Sequence, residues 1–385
     1  MDGDKAATAL SPMSLSVALQ ILVNGPQSRV QLADRMSLSP PSLTRLVKPL
    51  LAGGILTEGA TVRASSRGRS SMLLDVVDDY RFIGVKVTGE AAYGVLTDVR
   101  ARVLATAEAT LPAAEAGAVV QCVSDLVSEL NPRGVRVDGI GVTVGGKVSQ
   151  GRVVDSRYLH WTDVGLLDEL ISSLDAPVRL ENDVVGLTRA EHWFGWGRGL
   201  TDFALLTIGA GIGYGLVLAD TFVPIETGPV GHLPIHPSGP VCFAGHRGCL
   251  TSYASAASLT AAVSVGHRTT LDLESVLDLV RTGDTIAVRA AEEAAWAVGR
   301  AAATIADVTS VARVILSGEA VAVVELARDA FDRGLDEYRP VGAPPVDVVV
   351  QSADFFEWAR GAAAVAIHAQ FPQRARGVGG SRESV

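Results

Sequence analysis

Four side chains able to bind a metal lie close together in the stretch Gly228 to Tyr253: His232, Cys242, His246 and Cys249. Imidazoles and thiols at short spacings among small, turn-forming residues are the donors that a tetrahedral zinc site uses. The stretch therefore predicts a structural metal centre. The alternative is a reduced loop with two ordinary thiols and two surface histidines. A second cluster is Glu181-Asn182-Asp183. An amide beside a charged acceptor can satisfy several hydroxyls of a polar, uncharged ligand. The same Asn182-Asp183 pair could cap the helix that follows, and the two roles can coexist. Glycine-bearing turns stand at Lys86–Ala91 and Gly209–Gly215. Glycine loops can bring backbone N–H groups to phosphates, but tight turns between strands need glycines too.

The elements that must position these residues read as two series. Strands over 81–88, 91–97 and 102–107 lead into a helix over 115–130, a strand over 139–144, a helix over 164–173, a strand over 178–180 and a helix over 182–193. The order then roughly repeats. Strands over 202–207 and 213–219 precede the metal loop, and helices over 255–264, 271–281 and 284–308 follow it. A strand over 313–316, a helix from Glu319, a strand over 346–350 and a helix from Phe355 complete the series. In the glycine turn, Tyr214 is expected to fill space that a nucleotide would use. The aromatic run His192–Trp196 reads as packing between lobes.

Ahead of this body lies a different unit. Leu15, Ala18, Leu19 and Leu22 share one helical face, and Asn24-Gly25-Pro26 ends that helix. A short second helix has Ser28 as cap and Val30, Leu32 and Ala33 as inner face. Ser39 then caps a third helix with Pro40 at its first position, where a missing N–H costs nothing. Leu43, Leu46, Val47 and Leu50 form its inner stripe, leaving Ser42, Thr44, Arg45 and Lys48 to face outward, and these with the capping Ser39 are its DNA-binding candidates; Pro49 should kink or shorten it. Two strands around Ile55-Leu56 and Met72–Leu74 flank a tip holding Arg63, Arg67 and Arg69. Such a winged helix-turn-helix puts its third helix into a DNA major groove and its wing arginines on phosphates or in the minor groove. A small helical dimerisation domain is the alternative.

Composition agrees with a basic unit on an acidic body. The formal charge is −9 overall, with 48% hydrophobic and 19% charged residues. Residues 1–76 carry eight basic against five acidic side chains, so the charge there is +3 and the remainder −12. Three cysteines, Cys122 among them as a buried small hydrophobe, fit a reducing compartment. No apolar run approaches the roughly 20 residues of a membrane helix, and no leader is evident, which predicts a cytoplasmic protein with no membrane partner.

These motifs resemble the ROK family of repressors, open reading frames and sugar kinases. The metal stretch is similar to its Gly-Glu-x-Gly-His and Cys-x-Cys-Gly-x-x-Gly-Cys-x-Glu signature, with Pro229, Ala244 and Thr251 at three signature positions. The resemblance implies zinc held by His232, Cys242 and Cys249, with His246 as substitute fourth ligand. Gly209-Ala-Gly-Ile-Gly-Tyr-Gly215 resembles the family's second phosphate loop, whereas Lys86 and Glu90 stand where its kinases have an Asp and a phosphate-facing Thr. Leu316-Ser-Gly-Glu319 replaces the turn flanking adenosine. No ATP binding is expected. Gly145-Gly146 sits at the sugar-pocket turn, and Tyr158 replaces an Asn in Ser-x-Asn-Leu-x-Trp. Gly146, Asn182, Asp183 and His232 are the effector-binding residues that the resemblance implies.

The fold expected is α/β, a two-lobed actin-like sugar-kinase body preceded by the winged helix-turn-helix. Boundaries fall at 10–77 for the head and 78–371 for the body, with lobe 1 over 78–185 plus the C-terminal helix, lobe 2 over 186–353, and a disordered tail over 372–385. The function expected is a transcriptional repressor, not an enzyme: a homodimer on double-stranded operator DNA that answers a carbohydrate-like effector. An active sugar kinase and a constitutive DNA-binding dimer are the alternatives.

Overall fold

A computed structural model describes residues 10–62, 71–224, 230–351 and 354–376. The head opens with α1 (Pro12–Asn24), β1 (Gln27–Ser28), α2 (Arg29–Arg35) and α3 (Pro40–Ala52), then the strand pair β2 (Leu56–Val62) and β3 (Ser71–Val76). Local chemistry starts each helix. The Ser28 hydroxyl accepts the Gln31 N–H while the Gln31 side chain accepts the Ser28 N–H, a reciprocal cap. Ser39 accepts the Ser42 N–H and Pro40 follows it. Two expectations fail here. Pro49 does not shorten α3, since the helix runs on to Ala52 with Leu50 buried beside the missing hydrogen bond. Val30 is 73% exposed, because a helix of seven residues turns only Leu32 fully inward.

Lobe 1 holds β4 (Phe82–Val87), β5 (Ala91–Thr97), β6 (Val103–Thr110), α4 (Ala116–Leu130) and β7 (Gly139–Val144). A small sheet of β8 (Lys147–Ser149), β9 (Arg152–Ser156) and β10 (Trp161–Val164) follows, then α5 (Leu166–Ser173), β11 (Val178–Asn182) and α6 (Asp183–Phe194). The main sheet runs β11-β7-β4-β5-β6, with the first three strands parallel. β4 and β7 are buried at every position because helices cover both faces.

Lobe 2 repeats the plan. It contains β12 (Phe203–Ile208), β13 (Ile212–Leu218), β14 (Thr221–Phe222), α7 (Leu250–Ala254), α8 (Ala256–His267), α9 (Leu273–Arg281), α10 (Thr285–Thr309), β15 (Arg313–Ser317), α11 (Ala322–Leu326), α12 (Arg328–Asp336) and β16 (Asp347–Val350). Its sheet, β14-β13-β12-β15-β16, is again parallel over β12, β15 and β16 with β13 antiparallel. This is the duplicated α/β architecture that the sequence predicts. The hairpin sheet β8–β10 and the break between α11 and α12 are additions to it.

The closing helix α13 (Phe355–Arg376) lies on lobe 1. It passes so close to β4 and β7 that a side chain at Gly84 or Gly141 would strike the carbonyls of Ala359 or Ala362. It also crosses α6 where Gly361 meets the backbone of Gly186 and Leu187. Because α13 runs to Arg376, residues 372–376 are helical rather than part of a disordered tail; the rest of the expected tail is outside the described residues. Ala366, Ile367 and Phe371 of α13 share one apolar core with Leu15, Ile21, Leu22, Leu43, Leu50 and Leu74 of the head. Head and body are not separate cores. Arg100, from the turn after β5, fastens the same junction: it donates to the carbonyls of Ile21 and Leu22 and pairs with Asp75 at 2.5 Å.

Candidate functional site

The cleft between the lobes is floored by charges. Lys86, at the end of β4, is 6% exposed, and its ammonium pairs directly with the Asp183 carboxylate at the first turn of α6. Trp358 of α13 lies 5.4 Å from the same ammonium. Asp183, expected as an effector ligand, is thus already an ion-pair partner. Asn182 is occupied too: its carboxamide oxygen caps α6 by accepting from Val184 and Val185, and its Nδ2 donates to the Gly146 carbonyl at 2.7 Å. Gly146 adopts φ 128°, and a side chain there would collide with Asp155, so only glycine suits this turn. Asn182 and Gly146 therefore brace one another at the edge of the cleft.

The glycine loop of lobe 2 is filled from within the chain. Glu319 accepts the Ala210 N–H at 2.5 Å, a backbone donor of the loop that resembles a phosphate cradle. Tyr214 does not occupy that space. Gly213 and Gly215 face Val184 and Thr188 of α6, so the alternating strand sends Tyr214 to the opposite face, where it packs against the lobe 2 core. Burial there pushes its hydroxyl up to about 12. The residue that reaches between the lobes is Tyr158, between β9 and β10; it is 43% exposed, so it stands at the mouth of the cleft and not in its floor. A methyl group on Gly211 would come within 2.5 Å of its hydroxyl, and one on Gly145 within 2.8 Å of its ring. Burial first, then the Asp183 and Glu319 carboxylates, push the Tyr158 hydroxyl up to about 12. Glu90 is exposed.

The metal-type donors converge as predicted. Among the described residues, one donor atom each from His232, Cys242, His246 and Cys249 lies within 4.8 Å of every other. His232 Nδ1 is 3.7 Å from the Cys242 sulfur and 3.6 Å from the Cys249 sulfur. Two ligands held at roughly 2.3 Å (sulfur) and 2.0–2.1 Å (nitrogen) on a tetrahedral metal are about 3.5 Å apart, so the spacing fits a shared ion. Burial pushes the Cys242 thiol up, but the N–H groups of Ala244 and His246 outweigh it and hold the thiol below its usual value. That favours the thiolate which binds metal. Burial raises the Cys249 thiol. Burial, then His246 and Arg157, lower His232, which favours its neutral form. Thr251, in place of the family's Glu, donates to the Gly231 carbonyl at 2.6 Å and so tethers the turn carrying His232.

On the head, Ser39, Thr44, Arg45 and Lys48 are exposed and Ser42 is half-buried. Ser39 and Ser42 bond to each other at 2.9 Å, and Thr44 donates to Pro40, so these hydroxyls serve the helix start. Arg45 and Lys48 are the exposed charged side chains of α3. Arg63, Arg67 and Arg69 lie outside the described residues. The aromatic run divides: Trp193 stacks on His368 of α13 at 3.4 Å between centroids and meets Phe194 edge-on, whereas Trp196 is exposed. Sequence reasoning missed Tyr158 as the cleft's occupant and Glu319 as the loop's, although both had been marked as departures from the kinase pattern.

The chain is 23% identical over 314 residues to the N-acetylglucosamine repressor of Escherichia coli O6:H1, covering 77% of each. The crystal structure of a ROK family transcriptional regulator, a homologue of the E. coli Mlc protein, matches 94% of this chain and 97% of its own with TM-score 0.78 at 21% identity. A ROK family glucokinase from Streptomyces griseus, in complex with glucose and AMPPNP, matches 75% of this chain and 99% of its own with TM-score 0.64 at 24% identity. Among the described residues, no helix is long and apolar enough to cross a membrane. The profile of the ROK family matches residues 82–369, the whole two-lobed body with its cleft and metal cluster, and the chain belongs to that family.

Proposed function

We propose that the protein is a DNA-binding transcriptional regulator, a repressor, whose kinase-like body binds a carbohydrate-like molecule and thereby changes its affinity for an operator. The observation that carries this reading is the course of α13. Its first turns place Trp358 under the Lys86–Asp183 floor, and its last turns supply Ala366, Ile367 and Phe371 to the core of the helix-turn-helix head. A shift of the cleft floor on ligand binding has a packed element through which to move the head. The repressor relative supports a sugar-responsive switch, and a sugar is what the glucokinase neighbour holds. Kinase activity is disfavoured because Lys86 pairs the carboxylate that would act as base and Glu319 occupies the loop donor.

Two heads on one homodimer would read half-sites about one helical turn apart, roughly 34–36 Å. The test is gel shift and anisotropy on operator DNA selected from random duplexes, across salt, with and without sugars. Arg45→Ala and Lys48→Ala are each expected to weaken binding and lower the log–log salt slope by about 1. Unchanged slopes in both variants would remove α3 as the reading element. Sedimentation of the free protein as a monomer would remove the paired half-sites.

For the cluster of His232, Cys242, His246 and Cys249 the metal proposed is zinc, in a structural site that pins the His232 turn beside the cleft. Protein purified without added metal should carry about one zinc per chain and lose thermal stability on chelation. His246→Ala should weaken retention and His246→Cys restore it. Zinc far below one equivalent, with thermal stability indifferent to chelator, would mean that packing alone holds the loop.

A further inference from the structure

We infer that Tyr158 decides what the cleft admits: its ring is a built-in plug between the lobes, which an uncharged, single-ring polyol displaces and past which a nucleotide cannot extend. This rests on the sensing role proposed above and names the ligand class of the same cleft. The turn carrying the plug touches loops of both lobes. The Tyr158 ring lies against Gly145, its hydroxyl reaches Gly211 across the cleft, and a side chain at Gly89 would come within 2.8 Å of its carbonyl. The neighbouring Arg157 guanidinium stacks on Phe243, 3.6 Å from the ring centroid, in the loop between Cys242 and Cys249. Phe243 in turn meets His232 edge-on. One dipeptide therefore bridges lobe 1 to both ligand loops of lobe 2.

Steric and charge considerations then select the ligand. The Tyr158 hydroxyl crowds Gly211, so a triphosphate seated on the Gly209–Gly211 loop would meet it, and Glu319 already holds the Ala210 N–H. An anionic group on the floor would compete with Asp183 for Lys86 and leave a carboxylate without its cation. A neutral polyol avoids both penalties. Its hydroxyls can accept from the remaining ammonium hydrogens and donate to the carboxylate while the pair stays intact. The ring must swing aside to let it in, so the apparent affinity is reduced by the fraction of molecules in which the cleft is plugged.

The experiment compares the full-length protein with Tyr158→Asn and Arg157→Ala in two arms. Without ligand, hydrogen exchange should quicken severalfold at amides 209–213 and 242–249 in both variants, with α10 and the thermal midpoint unchanged as evidence of folding. Unchanged exchange at both loops overturns the plug, whatever the ligand. With ligand, calorimetry uses free pentoses, hexoses and N-acetylhexosamines, their 6-phosphates, and a nonhydrolysable ATP analogue. The expectation is that a free sugar binds, roughly tenfold tighter to Tyr158→Asn, while the phosphates and the nucleotide do not bind wild type. A sugar phosphate binding as well as its free sugar overturns the ligand class and leaves sensing standing. Weaker binding by Tyr158→Asn makes the ring a ligand contact and overturns the plug. Quickened exchange with no sugar or phosphate bound by any form supports the plug and removes the sensing role.

Discussion

A carboxylate that is to take a proton from a sugar hydroxyl has to be free to reach it. Asp183 is tied to Lys86 in a pair whose side chains are 14% and 7% exposed. Breaking such a pair from one side leaves a buried charge alone, at a cost of about 3–5 kcal/mol. Lys86→Ala should therefore lower the unfolding free energy by that order in urea titration, and Lys86→Met combined with Asp183→Asn should recover much of it. Sugar-dependent ATP turnover by the wild type, abolished by Asp183→Asn, would contradict the pairing as an inactivating feature. Lys86 was legible in the sequence because one substitution reverses a charge at a recognisable position. Tyr158 was not, since a tyrosine in a loop can point anywhere, and its ring is placed by Gly145 and Gly211, two glycines from distant loops. Tyr214 was misplaced for a reason of parity: Gly213 and Gly215 face α6, so an alternating strand turns Tyr214 away from them.

The interface between α6 and α13 is built from small residues and from polar groups with little solvent. Glu191 is fully buried on α6; it accepts the Trp196 N–H at 2.7 Å, and Arg360 of α13 comes within 3.6 Å. Burial, the largest influence, holds its carboxyl above the usual range despite the Trp196 N–H and Arg360. The folded state then binds a proton more tightly than the unfolded state does. Glu191 accordingly contributes stability below its unfolded value, and that contribution falls as pH rises through the window up to its raised folded value. Glu191→Gln should flatten this dependence and raise the thermal midpoint near neutral pH relative to wild type; an unchanged pH profile would mean that Arg360 compensates the charge. At this scale most of the fold was legible, because caps at Ser28, Ser39, Asn182, Ser255, Asp272 and Asp284 mark helix starts chemically. The strands β8–β10 were not, being only three to five residues long. The Ala-rich burial of α13 gives no one-sided stripe from which to read its neighbours.

Across the whole molecule, charge asymmetry and a change of pattern near residue 77 suggested a head that is merely attached. The structure joins them through Phe371, Ile367 and Ala366 within the head's core, and through Arg100 on the end of α1. Sequence could not reveal this, because the α13 residues lie roughly 290 to 360 positions from their head partners, and the Arg100 bonds span 78 and 79 positions. Deleting residues 1–76 should accordingly expose apolar surface on the body, lowering its solubility and thermal midpoint as well as removing DNA binding. A truncated body with the full-length midpoint would contradict the shared core. The same continuity bears on building sensors by exchanging parts. A foreign head spliced at residue 77 would inherit a socket shaped for another protein, so hybrid regulators of this chain should respond to their inducer only when the last three turns of α13 are transplanted along with the head.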